Sequence, residues 1–363
     1  MLQFRDSMNI YFDARWTRTD YHDGVSRYTA GLVQGFKENN IPITLLIHDI
    51  AQLAMLPSDV PYVLINNPVS IKEFFVAYRL NKLNADVVFS PLQVMGFWGR
   101  KYKLVLTLQD IIYYHHPKPP TNLAPGIRLI WRLFHFTKWP QRLLLNRADY
   151  VTTVSKTSKQ FIEGYGLTSR EVGVIYNAPS DVSRQLQPNG GPKTDILYMG
   201  SFMPYKNAET LIKGMAGMPA EYTLHLLSKI LPERKRELKK LVPAGTKVIF
   251  HNGVTDEEYL DLLDNAFCLA TASKEEGFGL PIVEAQVLGV PVVCSTMDIF
   301  KEVAGNAALY FDASNPADFA KQALRLQDES VRADLIEKGF EQAQKFSWKS
   351  SAKTLYNIFR KIT

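Results

Sequence analysis

The sequence predicts an α/β protein of two doubly wound parallel-sheet domains, and three observations carry that expectation. Short apolar runs alternate with helical patterns along all 363 residues. Most of these runs are near-continuously apolar, as strands buried on both faces must be. A break over residues 180–194, centred on Pro188-Asn189-Gly190-Gly191-Pro192, can continue neither helix nor strand and divides the series in two.

Taken in order, the strands expected in the first half are Asn9–Ala14, Ile43–His48, Tyr62–Ile65, Asp86–Ser90, Leu104–Leu108, Tyr150–Val154 and Val172–Tyr176. The second series runs Ile196–Met199, Tyr222–Leu227, Val248–His251, Phe267–Ala270, Pro291–Cys294 and Ala308–Phe311. The helical segments between strands are the crossovers that parallel pairing requires. The domains are therefore expected at 1–182 and 195–345, joined by a linker at 183–194. The amphipathic segment 346–363, with Trp348, Leu355, Ile358 and Phe359 on one face, is expected to pack back on the first domain.

Composition narrows the class. With 46% hydrophobic and 21% charged residues, the chain is neither disordered nor a coiled coil. Its two cysteines, Cys268 and Cys294, sit in apolar runs, which argues against a disulfide framework, a zinc cluster and a secreted scaffold. No stretch reaches the roughly 20 apolar residues of a spanning helix, and Arg5 and Asp6 interrupt the start. A cytoplasmic location, at most at the inner face of a membrane, is the expectation. The net charge of +6 is uneven: residues 1–185 carry 21 Lys+Arg against 14 Asp+Glu, a net +7, and the remainder nets −1. Nucleic acid is not an expected partner, because the basic excess comes with no recognisable nucleic-acid-binding module.

The most specific segment is Ser273–Ala285, Ser-Lys-Glu-Glu-Gly-Phe-Gly-Leu-Pro-Ile-Val-Glu-Ala. A strand ending near Ala270 feeds a loop with Gly277 and Gly279, and Pro281 stands where a helix would begin, since its missing N–H costs nothing there. Amides of Phe278, Gly279 and Leu280 then face outward at a helix N-terminus, a position that suits anions and hydroxyls. Glu276 in the loop and Glu284, read as first-turn, are carboxylates able to accept paired hydrogen bonds from vicinal diols. Here the chain resembles the retaining glycosyltransferases of the GT-B fold, glycosyltransferase family 4, two Rossmann-like domains facing across a cleft. Met199–Asn207, Gly253–Glu258, Val174–Asn177, Ala148–Ser155 and Asp23–Tyr28 carry the resemblance further.

The resemblance implies a nucleotide-sugar site between the domains, with no metal and no cofactor. Glu284 is then the ribose acceptor, Glu276 holds the donor sugar, Lys206 clamps the diphosphate, and Val254 meets the base through its backbone. Gly200 and Ser201 belong to the donor loop, and Gly24 lets backbone approach the diphosphate from the first domain. Two positions depart from the family pattern. Ser201 and Tyr205 stand where an arginine is common, leaving Arg27 or Lys274 as substitute cations. Leu108-Gln109-Asp110 stands where His-Asp is usual; Gln109 can hydrogen-bond a sugar hydroxyl but cannot carry a proton charge, with His115-His116 as nearby alternatives. Asp13, Arg27 and Asp110 border the expected acceptor side, there to meet the acceptor or to brace the loop.

Residues 124–147 join Arg128, Arg132, Lys138, Arg142 and Arg147 to Trp131, Phe134, Phe136 and Trp139 without an acid. This composition fits a helix on an anionic bilayer or a domain helix kinked at Pro140. The expected activity is retaining transfer of a sugar from a nucleotide-diphosphate donor to a hydroxyl of a glycan or lipid-linked glycan in cell-surface polysaccharide synthesis. A non-catalytic nucleotide-binding scaffold and an epimerase acting on the same donors are the alternatives.

Overall fold

A computed structural model describes residues 8–115, 126, 128, 129, 132, 137–179 and 193–363. It has thirteen strands in two all-parallel sheets, at the positions expected from the apolar runs. The first sheet contains β1 (Ile10–Asp13), β2 (Thr44–Ile47), β3 (Tyr62–Leu64), β4 (Val87–Ser90), β5 (Lys103–Thr107), β6 (Tyr150–Thr153) and β7 (Val172–Val174), in the order β3-β2-β1-β4-β5-β6-β7. The second contains β8 (Asp195–Tyr198), β9 (Thr223–Leu226), β10 (Lys247–Phe250), β11 (Ala266–Thr271), β12 (Val292–Ser295) and β13 (Ala308–Phe311), in the order β10-β9-β8-β11-β12-β13. Each order reverses once, at β1/β4 and at β8/β11. Such switch points open a crevice at the carboxyl ends of the strands, where open α/β sheets bind ligands.

The chain forms two compact units, one reaching to Ala178 and including Ser347–Thr363, the other Pro179–Phe346. Residues 180–192 lie outside the described residues, so the expected linker is seen only at Lys193 and Thr194.

In the first unit the core is aromatic. Phe12 of β1 and Phe89 of β4 are paired in register and meet at 4.6 Å between ring centroids. Helix α1 (Gly24–Glu38) brings Phe36 against Phe12, and helix α5 (Trp348–Ile362) brings Phe359 against Phe36. The close approach of α1 and α5 depends on glycine: a Cβ on Gly31 would lie 2.1 Å from the Trp348 indole, and one on Gly35 2.2 Å from the Trp348 carbonyl.

In the second unit the cluster around Tyr198, Leu224, Cys268, Phe311 and Phe319 fills the space between the sheet and helix α3 (Ala208–Gly214). Helix α4 (Leu280–Val287) follows β11. Cys268 and Cys294 are buried free thiols here; burial pushes Cys268 up to about 12 and raises Cys294 further. Among the described residues, no helix is long and apolar enough to cross a membrane.

Candidate functional site

The loops after β8 and β11 lie side by side because their strands pair across the switch point of the second sheet. One backbone bond joins them, from the Lys274 N–H to the Tyr205 carbonyl at 2.7 Å. Asn207 fastens the first loop. It sits in the left-handed region at φ 53°, a conformation Asn tolerates, and its side chain does not cap α3. Instead its amide donates to the carbonyls of Ala272 (3.0 Å) and Ala313 (2.8 Å). The residue before it, Lys206, is thereby aimed along the β11 loop.

Lys206 Nζ lies 2.6 Å from both carboxylate oxygens of Glu276. The side chains are only 15% and 17% exposed, so the pair is partly shielded from solvent screening. The Tyr205 ring lies 5.7 Å from the same ammonium. Tyr198, buried below the loop, has its phenol raised well above its ordinary value by burial first and by the Glu276 charge second. Its hydroxyl donates to the Ser201 carbonyl at 2.7 Å. The Ser201 side chain is exposed, and the Gly200 N–H donates to Ser228 Oγ at 3.1 Å.

Gly279 turns the chain into α4 at φ +95°, a left-handed conformation that a side chain would strain, and no side chain caps this helix start. Pro281 occupies the first turn. Phe278 is buried with its ring edge-on to Phe346, and Leu280 is partly exposed. Glu284 is buried, and because α4 begins at Leu280 it lies one full turn into the helix rather than in the first turn. Val254 follows Asn252 and Gly253, both at positive φ, and is partly exposed just before a helix capped by a Thr255–Glu258 box. The second unit thus gathers Lys206, Glu276 and the Gly200–Ser201 loop at the adjoining ends of β8 and β11. Lys274, one of the two candidate cations, is exposed on the same loop as Glu276.

The first unit holds Gly24, Arg27, Asp13, Gln109 and Asp110. Gly24 is the first residue of α1, and a Cβ there would meet nothing within 4 Å. The fold itself does not require glycine at this position. Asp23 caps the helix by accepting from the Ser26 N–H at 2.9 Å. Arg27 is partly exposed on α1. Gln109 Nε2 donates to the Pro91 carbonyl at 2.9 Å, and Asp110 accepts from the Ile112 N–H at 3.0 Å, which opens the short helix Ile112–His115.

Asp13 braces the loop after β1, the second of its two expected roles. It is fully buried, and its carboxylate takes two hydrogen bonds from the Arg15 guanidinium, at 2.7 and 3.0 Å. Arg15, itself buried, reaches on to both oxygens of Glu73, at 2.6 and 3.1 Å. Facing two carboxylates raises Arg15 above its ordinary value although burial opposes it. This network braces the loop after β1, together with Gln52, whose amide donates to the carbonyls of Arg15 and Thr17. No motif or spacing in the sequence marks Arg15, Glu73 or Gln52. Beside them opens a cavity of about 660 Å³ whose lining includes Trp16, Arg18, Tyr21, His48 and Asn67.

Of residues 124–147, only 126, 128, 129, 132 and 137–147 are described. Pro140 lies in the first turn of a helix, Trp139–Leu145, so it starts a helix instead of kinking one. Lys138 lies over the Tyr165 ring at 4.1 Å, and Arg142 donates to the Gly166 carbonyl. Those cations serve the domain's own packing. His116 lies outside the described residues. Among the described residues no group of His, Cys, Asp and Glu is placed to hold a metal ion.

Both halves of the chain match known protein families. The Glycosyltransferase Family 4 model matches residues 22–179, and the Glycosyl transferases group 1 model matches residues 181–342. The chain is 33% identical over 171 residues to O-antigen chain mannosyltransferase B of Escherichia coli, 45% of each protein. It is 31% identical over 183 residues to the O-antigen chain mannosyltransferase RfbU of Salmonella typhimurium, 49% of this chain and 50% of that one. The chain spans about half the length of these curated relatives. Among solved structures, Anabaena HepE in complex with UDP and glucose superposes with a TM-score of 0.74 at 16% identity, covering 97% of this chain and 99% of that one. The lipopolysaccharide outer core galactosyltransferase WaaB gives 0.67 at 17% identity, covering 98% and 100%. The two domain models and the shared fold place this chain among the GT-B glycosyltransferases.

Proposed function

We propose that the chain is a retaining glycosyltransferase that moves a sugar from a nucleoside-diphosphate sugar to a hydroxyl of a glycan or lipid-linked glycan in cell-surface polysaccharide synthesis. The observation that carries the reading is the Lys206–Glu276 pair, held at the carboxyl end of the second sheet beside the α4 start. An ammonium and a carboxylate in adjoining loops, a run of backbone amides and a second carboxylate on α4 are the groups a diphosphate and a polyol need. The named activity of the two O-antigen relatives makes a mannosyl donor the first to test.

In this reading Glu284 accepts from the ribose hydroxyls, Glu276 orients the donor sugar, and the amides of Phe278, Gly279 and Leu280 face the sugar and phosphates. As the bond from the anomeric carbon to the β-phosphate oxygen breaks, negative charge grows on the departing diphosphate, and Lys206 stabilises it in place of a metal. The acceptor hydroxyl attacks from the same face, giving up its proton to the departing phosphate oxygen, so the anomeric configuration is kept. Gln109 hydrogen-bonds the sugar without titrating near neutral pH. In the first unit the cavity beside Arg15 offers aromatic faces and polar edges to a saccharide acceptor. The site of action is the cytoplasmic side of a membrane.

The test is transfer by purified protein with a chelator present. Labelled product with the donor's anomeric configuration, made at an undiminished rate by the wild type and lost in a folded Glu276→Ala variant, supports the reading. Equal transfer by wild type and variant overturns it.

A further inference from the structure

Arg234 lies outside every loop assigned to the donor site, yet it touches both ends of the one that carries Lys206. It belongs to the helix Pro232–Lys239, in the crossover from β9 to β10. Its Nε donates to the Phe202 carbonyl at 3.0 Å, and one terminal nitrogen donates to the Glu209 carboxylate. Phe202 stands before the short turn Pro204–Lys206, and Glu209 stands after it in the first turn of α3. The remaining nitrogen donates to Glu237 at 3.0 Å. All three nitrogens are thus committed to the protein, so Arg234 does not supply the charge missing at Ser201 and Tyr205.

The position is an unfavourable one for a cation by local rules. Arg234 is the third residue of its helix, where the helix dipole opposes positive charge. What holds it there is the bridge, whose side chains are 22% and 25% exposed and so partly shielded from solvent. The loop it spans has little regular structure of its own. Its turn is closed by bonds from the Lys206 N–H to the Met203 carbonyl at 2.9 Å and from the Asn207 N–H to the Pro204 carbonyl at 3.2 Å. The Tyr198 hydroxyl grips the Ser201 carbonyl beside Phe202, and the Tyr198 and Phe202 rings pack at 5.8 Å. With Phe202 and Glu209 tied to one planar fork, the six residues between them are held as a closed span, and Lys206 is among them. A guanidinium can bond two partners at fixed angles, whereas an ammonium is a point charge on a flexible stem.

We propose that Arg234 is a positioning residue of the donor site, whose fork ties Phe202 to Glu209 and so fixes Lys206 where a diphosphate meets it. This rests on the reading of Lys206 as the cation of the diphosphate.

The experiment is calorimetric titration of uridine and guanosine diphosphate into the wild type, Arg234→Lys, Lys206→Met and the double variant. Hydrogen exchange of the Gly200–Lys206 amides is measured on the same ligand-free proteins. Lysine keeps the charge but cannot hold both ends. Arg234→Lys is expected to speed exchange in this loop while the strands of the second sheet stay protected, and to weaken diphosphate binding about tenfold. Because Arg234 acts through Lys206, the double variant is expected to bind no more weakly than Lys206→Met alone; a merely structural loss would multiply the two effects. Should Arg234→Lys not fold, Glu209→Gln weakens the other end of the bridge and enters the same cycle. Unchanged loop exchange in the folded variant overturns the proposal, as do effects that multiply. Wild-type binding with no loss in the variant overturns the role of Arg234 alone, whereas a wild type that binds neither diphosphate overturns the donor reading and this role with it.

Discussion

Lys206 and Glu276 hold one another across 2.6 Å to both carboxylate oxygens, so each neutralises the other until a ligand intervenes. A bound diphosphate must compete with Glu276 for the ammonium. Glu276→Gln is therefore expected to slow transfer about 10²-fold while tightening nucleoside-diphosphate binding about tenfold, since Lys206 then meets phosphate with its charge uncompensated; calorimetric titration reads the second effect. The buried Arg15 behaves differently. Arg15→Met strands Asp13 and Glu73 together, and the cost is about 3–5 kcal/mol in urea unfolding, even though no part of the donor site is touched. The loops that hold Glu276 and Lys206 were legible in the sequence because they carry glycine and proline, Gly277 and Gly279 in one and Pro204 in the other. Arg15 was not, because a buried arginine satisfied by Asp13 and Glu73 depends on partners up to 58 positions away. The bracing role of Asp13 was one of two readings for the same reason: burial is invisible in a single strand end.

At the scale of elements, the parallel strands were readable because their apolar runs are nearly unbroken. The boundary of α4 was readable to within one residue: the helix begins at Leu280 instead of Pro281, which places Glu284 just past its first turn. Helices α1 and α5 meet through Gly31 and Gly35. Gly31→Ala forces its methyl into the Trp348 indole and is expected to cost about 1–3 kcal/mol, with a red shift in tryptophan emission. A second element-level feature is the pair His225 on β9 and His251 after β10, with Nδ1 and Nε2 2.9 Å apart. Burial, then the neighbouring His225, lowers His251 below its ordinary 6.5, against the opposing pull of Glu258. Asp195 lies 3.2 Å from the other nitrogen of His225. A depressed base favours the folded state while neutral. The His251 contribution is therefore complete above about pH 6.5 and is lost as pH falls below that value. Melting temperatures of His251→Asn across pH 7.5 to 5.5, set beside the wild type, should show a shallower acid decline; an unchanged slope removes His251 from the account.

For the whole molecule, the basic excess of the first half was legible as a count, and its location was not. The sequence directed attention to residues 124–147, yet Lys138 and Arg142 serve internal packing there. Exposed aromatic side chains, Phe74, Phe75 and Tyr78, lie where a 3₁₀ turn running into helix α2 (Val76–Lys82) gives no strong periodic signal. The division into two units was marked by proline and glycine, whereas nothing in composition shows how deeply Leu355 and Phe359 of α5 enter the first core. Removing residues 347–363 should lower the thermal stability of the first unit while leaving the second near its original value, read by hydrogen exchange of β1 against β8. The central claim is glycosyl transfer at the Lys206–Glu276 site, and the most direct measurement is product formation from a panel of uridine, guanosine and adenosine diphosphate sugars with extracted glycan and lipid-linked acceptors. The wild type is predicted to yield a product that keeps the donor's anomeric configuration, at least about 10² times faster than folded Glu276→Ala; no product from any donor, or an equal rate from the variant, would contradict it.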